Sequence, residues 1–173
     1  MRKLLLVIDM QTDFVDGALG TAEAVAIIPN VLREIQKYDK KDIIATRDTH
    51  PEEYMLTREG RHLPVPHCIK DTAGWELHPQ IASALEGCLL IDKPTFGSTE
   101  LCNHIVKLAE KDDIEVTFVG LCTDICVVSN AMLIKSALPE IEVSVIADAC
   151  AGVTPDTHCA ALTTMKMCQI NIV

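Results

Sequence analysis

The sequence predicts a three-layer α/β/α sandwich built on a mainly parallel six-stranded sheet. Short, continuous apolar runs recur along the 173 residues, and such runs are typical of strands that are buried on both faces of a parallel sheet. Segments with helical spacing of apolar residues alternate with them, which is the pattern of a sheet covered by helices on both sides. No repeat or low-complexity linker interrupts this alternation, so we expect a single domain over residues 1–173.

Six runs of aliphatic and β-branched residues are predicted as strands. They cover residues 3–8, 42–46, 88–91, 115–119, 143–147 and 170–173. Segments with a helical period, two of them with proline tolerated in the first turn, are predicted as helices. They cover residues 28–38, 80–86, 100–110 and 154–168. A further helix is predicted after Gly120, with Thr123 as its N-cap and Asp124 in its first turn.

The stretch from residue 49 to residue 79 shows no steady hydrophobic period and contains four of the six histidines. A loop of this length in a compact domain is usually functional. We therefore expect it to contribute side chains to a site.

Composition and charge exclude several classes of protein. A formal net charge of −10 argues against nucleic acid or an anionic membrane surface as a partner. No apolar run approaches the length of a membrane span, and the run at residues 3–8 is too short for a secretion signal. The eight cysteines form no C-x-x-C pair, which favours reduced thiols. We therefore expect a cytoplasmic protein.

Cys126 is the first candidate for a catalytic residue. It lies about three residues into the predicted helix after the fourth strand, where the helix dipole and unpaired N–H groups favour a thiolate. Backbone N–H groups just before it can also hold an oxyanion. A cysteine in apolar surroundings is more often structural, but a position between a strand and a helix, beside an acid, favours a nucleophile.

Three charged residues end other strands of the predicted sheet. Asp9 follows the first strand, Asp48 the second and Lys93 the third. The carboxyl ends of parallel strands lie at one edge of the sheet, where ligands bind in such folds. A carboxylate, an ammonium group and the Cys126 thiol at this edge form a nucleophilic site, in which Asp9 takes the thiol proton and Lys93 stabilises negative charge. The alternative is that charged residues simply end strands.

The chain resembles the isochorismatase-like cysteine hydrolases over essentially its whole length, and within them it is similar to the nicotinamidases. The motifs that carry the resemblance are LLLVIDMQTDF at 4–14, DTH at 48–50, PHC at 66–68, Lys93 after its strand, and GLCTDICV at 120–127. Their combination in this order is highly specific. The resemblance implies the Rossmann-like fold of that family and maps its catalytic triad onto Asp9, Lys93 and Cys126.

The resemblance also implies an activity: hydrolysis of a linear amide C–N bond through a thioester, with nicotinamide to nicotinate and ammonia as the leading expectation. It implies a cis peptide bond between Leu121 and Cys122, with the N–H groups of Cys122 and Cys126 as the oxyanion hole. The expected partner is a small-molecule amide. Members of this fold commonly form oligomers, so the resemblance also allows a homo-oligomer.

A metal site is expected beside the triad. Asp48 and His50 are alternate residues at a strand end, and His67 can approach them from the long loop. A carboxylate and two imidazoles leave open positions on a zinc, iron or manganese ion. Such a pattern also arises by chance, but the resemblance to metal-binding nicotinamidases implies one divalent ion, with zinc favoured. Glu59 is left open as a fourth ligand. The other histidines are interpreted as solvated or capping side chains: His62, His78, His104 and His158.

Phe14, Trp75 and Phe96 are the expected substrate-pocket residues, with Tyr54 behind them. The alternative is that these aromatic side chains only pack the loop against the domain. The chain has Pro64 where nicotinamidases often have a tryptophan, three residues ahead of the loop histidine. This departure leaves other functions open. One is a family hydrolase acting on a carbamoyl or ureido compound or on isochorismate, and another is a non-catalytic binding protein.

Overall fold

One six-stranded sheet organises the chain, and the computed structural model describes all 173 residues. The strands are β1 (Arg2–Ile8), β2 (Ile43–Asp48), β3 (Leu89–Lys93), β4 (Ile114–Leu121), β5 (Glu142–Ala151) and β6 (Asn171–Ile172). All neighbouring strands pair in parallel, in the order β3-β2-β1-β4-β5-β6. The strand order therefore reverses between β1 and β4, and a crevice opens at the carboxyl ends of strands at such a point.

Helices cover both faces of this sheet. They are α1 (Thr12–Val15), α2 (Ala22–Ala26), α3 (Ile28–Ile35), α4 (Arg58–His62), α5 (Pro79–Ala84), α6 (Thr99–Ala109), α7 (Val128–Ala137) and α8 (Pro155–Met167). Leu4 and Leu6 of β1 pack with buried residues of α6, α7 and α8, whereas Leu5 and Val7 pack with those of α2, α3 and α5. The predicted three-layer α/β/α architecture is confirmed. None of the helices has the length and apolar character that crossing a membrane requires.

Side-chain caps fix where two of the long helices begin. Thr154 accepts a hydrogen bond from the Thr157 N–H (3.1 Å) in a reciprocal capping box, and Pro155 occupies the first turn of α8 as predicted. Ser98 accepts from the Leu101 N–H (3.0 Å) at the start of α6. Each such cap stabilises the fold by about 1 kcal/mol.

The two long connections contain short helices that the sequence pattern did not predict. α1 and α2 lie between β1 and α3, and a 3₁₀ turn at Tyr54–Leu56 precedes α4 in the loop after β2. Helices of four or five residues are too short to show a hydrophobic period. Local bonds define them instead, as where Thr57 accepts from the Gly60 N–H at 3.0 Å.

The segment after β4 differs from the predicted helix start. Cys122 occupies the N-cap position, and a π-helical turn at Thr123–Val127 precedes α7. Thr123 is not the N-cap, because its hydroxyl group pairs with His158 Nδ1 (2.8 Å) on α8 and not with its own helix. The peptide bond between Leu121 and Cys122 is cis, as the resemblance implied.

Candidate active site and metal centre

Cys126 reaches the carboxyl edge of the sheet because of how β4 ends. Gly120 has φ +112°, and a Cβ atom there would collide with the Ile8 carbonyl oxygen, so glycine allows the close approach of β4 to β1. The chain then enters the π-helical turn that contains Cys126. Asp9 directly follows β1, so the two residues meet at the point where the strand order reverses.

The structure brings the three predicted triad residues together. Lys93 Nζ, at the end of β3, lies 2.7 Å from Asp9 Oδ2 and 3.3 Å from Cys126 Sγ, and it donates to the Thr95 carbonyl at 3.2 Å. The Thr46 hydroxyl donates to Asp9 Oδ1 at 2.6 Å. All three triad side chains are buried, with exposures of 0–4%. A charged pair this deeply buried is tolerated only when each member is partnered, and here both are.

Burial opposes ionisation of Cys126, the candidate nucleophile. It raises the pKa of the Cys126 thiol, the Asp9 carboxylate adds to the effect, and the Lys93 ammonium opposes it. Burial therefore opposes the thiolate that a helix N-terminus favours. Burial also raises the pKa of the Asp9 carboxyl, against the opposing Lys93 charge, which makes Asp9 a better proton acceptor.

Four potential metal ligands meet next to this cluster. Their ligand atoms all lie within 4.8 Å of one another: Asp48, His50, Glu59 and His67. His50 Nε2 is 3.0 Å from Asp48 Oδ2 and 3.7 Å from Glu59 Oε1. His67 Nε2 is 3.8 Å from both carboxylates. Ligands about 2.1 Å from a tetrahedral ion are about 3.4 Å apart, so these spacings suit one ion.

The hydrogen bonding of the two imidazoles also fits a metal. His50 Nε2 is buried and makes no hydrogen bond, although Asp48 Oδ2 lies 3.0 Å away. His67 pairs through Nδ1 with the Val65 carbonyl oxygen (2.9 Å), which leaves Nε2 available as a ligand atom. Two imidazoles and two carboxylates are a donor set for zinc, iron or manganese. The group therefore fits a divalent ion, and the structure adds Glu59 to the three predicted ligands.

A cavity of about 330 Å³ adjoins both clusters. Its buried lining residues include Asp48, His67 and Cys126, and the predicted pocket residues Phe14 and Phe96 also line it. The exposed lining residues, which form its mouth, are His62, Leu63, Phe96 and Val153. No lysine or arginine lines the cavity. The apolar wall and the two polar clusters are typical of a site for a small organic molecule.

Trp75, the third residue expected in the substrate pocket, lies outside this cavity. Its ring is buried, its Nε1–H donates to the Thr49 hydroxyl (2.8 Å), and the Arg47 guanidinium stacks on it at 3.6 Å. These contacts fix the ring against β2, so Trp75 anchors the loop. Tyr54 lies behind the imidazoles, with ring centroids 4.8 Å from His50 and 5.0 Å from His67.

Two residues at the site were missed by the sequence analysis. Thr46 supports Asp9, but a threonine near a strand end carries no signal of its own. His62 is exposed, in agreement with its interpretation as a solvated side chain, but it also lines the cavity mouth at the end of α4. Its position near the loop histidine was the available signal, but α4 was not predicted.

The fold and this cluster define a doubly wound α/β protein with a cysteine, a carboxylate and an ammonium group at the switch point, next to a metal-ligand group. The chain belongs to the isochorismatase family. The model of the isochorismatase domain matches residues 3–173, which confirms the resemblance seen in the motifs.

Several relatives are similar over nearly the whole chain. A nicotinamidase/pyrazinamidase of Mycobacterium tuberculosis is 28% identical over 190 residues, covering 99% of this chain and 98% of the relative. The crystal structure of the Pyrococcus horikoshii pyrazinamidase in complex with zinc has 31% identity and a TM-score of 0.78, and the match covers 100% of this chain and 99% of that one. A probable inactive nicotinamidase of Arabidopsis thaliana is 29% identical over 171 residues, covering 94% and 87%.

Proposed function

We propose that this protein is a cysteine amidohydrolase of the nicotinamidase type, which hydrolyses a small neutral carboxamide to a carboxylate and ammonia. Nicotinamide is the leading substrate, with pyrazinamide as a close analogue. The observation that carries the proposal is the meeting of Asp9, Lys93 and Cys126 beside a cavity that has a candidate metal group but no free cation. The similarity to nicotinamidases and pyrazinamidases supports it.

The mechanism uses Asp9 as a proton carrier. Asp9 takes the proton of Cys126 as the thiolate attacks the amide carbon, and the N–H groups of Cys122 and Cys126 hold the oxyanion. Asp9 then returns the proton to the departing ammonia, which leaves a thioester. A water molecule loses a proton to Asp9 and cleaves the thioester, releasing the acid and restoring the thiol. Lys93 holds the carboxylate in place, 2.7 Å away, and balances negative charge at sulfur.

Asp48, His50, Glu59 and His67 would hold the divalent ion, and zinc in the Pyrococcus pyrazinamidase structure supports this choice. A bound ion supplies a Lewis-acidic position for a ring nitrogen of the substrate and thereby orients the ring. Phe14 and Phe96 provide the apolar surface against which the ring packs.

The same cavity argues against an acidic substrate. Isochorismate and most ureido acids carry carboxylates, which proteins usually recognise with arginine or lysine. No such residue lines the cavity, and its charged residues are Asp48 and Glu59 with two histidines. A neutral carboxamide is therefore the better fit. A non-catalytic role, as described for the Arabidopsis relative, is disfavoured by the complete and mutually bonded set of Asp9, Lys93 and Cys126.

Ammonia release measured over a substrate panel tests the proposal. The panel contains nicotinamide, pyrazinamide, a ureido acid and a neutral urea, with isochorismate followed separately by its loss of absorbance. We expect turnover of the two aromatic amides and none of the acids. Preference for a ureido acid or isochorismate would show that the substrate assignment is wrong, and no turnover of any compound by metal-loaded protein would favour the binding role.

A further inference from the structure

Two buried carboxamide side chains, Gln11 beside Asp48 and Asn130 beside Cys126, bond only to backbone groups. Both are almost completely buried, at 0% and 1% exposure. Each uses both N–H donors of its amide on carbonyl oxygens and its oxygen on one backbone N–H. Neither carboxamide group bonds to Asp9 or Lys93, although the Gln11 backbone N–H donates to the Asp9 carbonyl oxygen at 2.8 Å. The mechanism therefore gives these two side chains no role.

Gln11 holds the backbone of a candidate metal ligand. Its Oε1 accepts from the Asp48 N–H (2.7 Å), and its Nε2 donates to the Asp48 carbonyl (2.8 Å), so it grips the peptide groups on both sides of one residue. The second N–H of Nε2 donates to the Trp75 carbonyl at 2.8 Å. The side chain of Gln11 therefore bonds to the end of β2 as a neighbouring strand would, and it links the end of β2 to the backbone of Trp75.

Asn130 makes the corresponding bonds on the nucleophile side. Its Nδ2 donates to the Cys126 carbonyl (2.8 Å) and to the Phe96 carbonyl (3.0 Å). Its Oδ1 accepts from the Ser98 N–H at 2.8 Å. The Cys126 carbonyl lies in the π-helical turn, where the backbone departs from regular α-helical hydrogen bonding. A side-chain partner such as Asn130 therefore helps to fix the backbone conformation there.

We propose that Gln11 and Asn130 are positioning residues for separate halves of the site: Gln11 sets the backbone that aims Asp48 at the metal, and Asn130 sets the backbone that aims Cys126 at the substrate. The first half rests on the metal centre proposed above, whereas the second rests only on Cys126 as the nucleophile. Groups that orient metal ligands through hydrogen bonds affect metal affinity without touching the ion.

The two residues serve as controls for one another. The variants Gln11→Met and Asn130→Leu keep approximate side-chain shape and remove the hydrogen bonds. Three quantities are measured on each: zinc affinity by competition with a chelator, the iodoacetamide alkylation rate of Cys126 in zinc-saturated protein by peptide mass spectrometry, and the thermal midpoint Tm. If either variant fails to fold, Gln11→Ala or Asn130→Ala replaces it, since the smaller side chain adds no charge and leaves room for water to bond the freed backbone groups.

Gln11→Met is expected to weaken zinc binding by about 10–100-fold and to change the alkylation rate by a smaller factor than Asn130→Leu does, although Lys93 contacts both Asp48 and Cys126. Asn130→Leu is expected to change the alkylation rate by at least about tenfold, because the thiol is misplaced, and to change zinc affinity by a smaller factor than Gln11→Met does. If zinc affinity, the alkylation rate and Tm all change together in both variants, the inference is overturned in favour of a structural role. If wild-type protein binds zinc and Gln11→Met binds it with the same affinity, the role of Gln11 is overturned and that of Asn130 is not. If wild-type protein binds no zinc, the metal centre is overturned as well.

Discussion

Lys93 donates a hydrogen bond to Asp48 Oδ1 at 3.4 Å, so the ammonium group that neutralises Asp9 also contacts a candidate metal ligand. Burial alone would lower the pKa of Lys93, but the Asp9 carboxylate, Cys126 and Asp48 raise it instead. Lys93 therefore stays charged, and the nucleophile cluster and the metal-ligand group share one buried positive charge. A change at this residue should affect both.

Replacing Lys93 with Gln should sharply lower turnover but strengthen zinc binding. Loss of the charge partner of Asp9 removes stabilisation of the reacting groups, and a loss of at least about 100-fold in kcat/KM is expected. Zinc should bind more tightly, because a cation 3.4 Å from a ligand carboxylate opposes a second cation. Chelator competition measures the affinity, and exposed Lys107→Gln serves as the matched control. Weaker zinc binding in Lys93→Gln would contradict the shared-charge interpretation.

The two cysteines that line the cavity should differ sharply in their importance. Cys126→Ala removes the nucleophile and should lower kcat by at least about 1,000-fold while leaving Tm nearly unchanged. Cys122→Ala keeps the backbone N–H group assigned to the oxyanion hole, so its kcat should stay within about tenfold of wild type. Steady-state ammonia release measures both variants. Equal losses would mean that the Cys122 thiol takes part in the chemistry.

Trp75 and Phe96 should separate into a stability residue and a binding residue. Trp75→Phe removes the hydrogen bond to Thr49, so we expect a loss of about 1–2 kcal/mol in the free energy of unfolding, or several degrees in Tm, with little change in KM. Phe96→Ala exposes no core, since Phe96 is 45% exposed at the mouth, and should raise KM with little change in Tm. An increase in KM for Trp75→Phe without a fall in Tm would show that Trp75 contacts the substrate.

Removal of the metal should cost activity far more than stability. The segment that contains His67 is held by other bonds: the Cys68 N–H donates to Asp13 (2.8 Å), and the His50 N–H donates to the Cys68 carbonyl (3.0 Å). Chelator-treated protein should thus keep its hydrogen-exchange protection at residues 67–70 while it loses nicotinamide turnover, and added zinc should restore turnover. Collapse of that protection on chelation would make the ion structural.

Sequence reasoning predicted the sheet, its parallel pairing and the edge at which the site lies, because buried strands leave short, continuous apolar runs and their ends align. It also placed Asp9, Lys93 and Cys126 at that edge, and their catalytic roles stay predictions. The π-helical turn was not predictable, because Thr123 looks like an N-cap until its partner His158, 35 residues away, is known.

The pocket was the least predictable part for a related physical reason. A buried tryptophan and a cavity-lining phenylalanine have the same sequence signature, and only the positions of Thr49 and Arg47 show that Trp75 faces away from the cavity. The contacts of Gln11 and Asn130 were equally unpredictable from the sequence, because each side chain bonds to backbone groups, which every residue has.

The lack of lysine and arginine in the cavity also affects how a catalytic cycle ends. Hydrolysis turns a neutral amide into an anion, and this new charge appears beside Asp48 and Glu59. Lys93 is already balanced by Asp9, and a divalent ion would be balanced by the two carboxylates of its own ligands. The acid therefore meets no uncompensated positive charge, and electrostatics favour its departure. On the proposed function, a cavity that admits a neutral amide would therefore bind its acid product more weakly than its substrate.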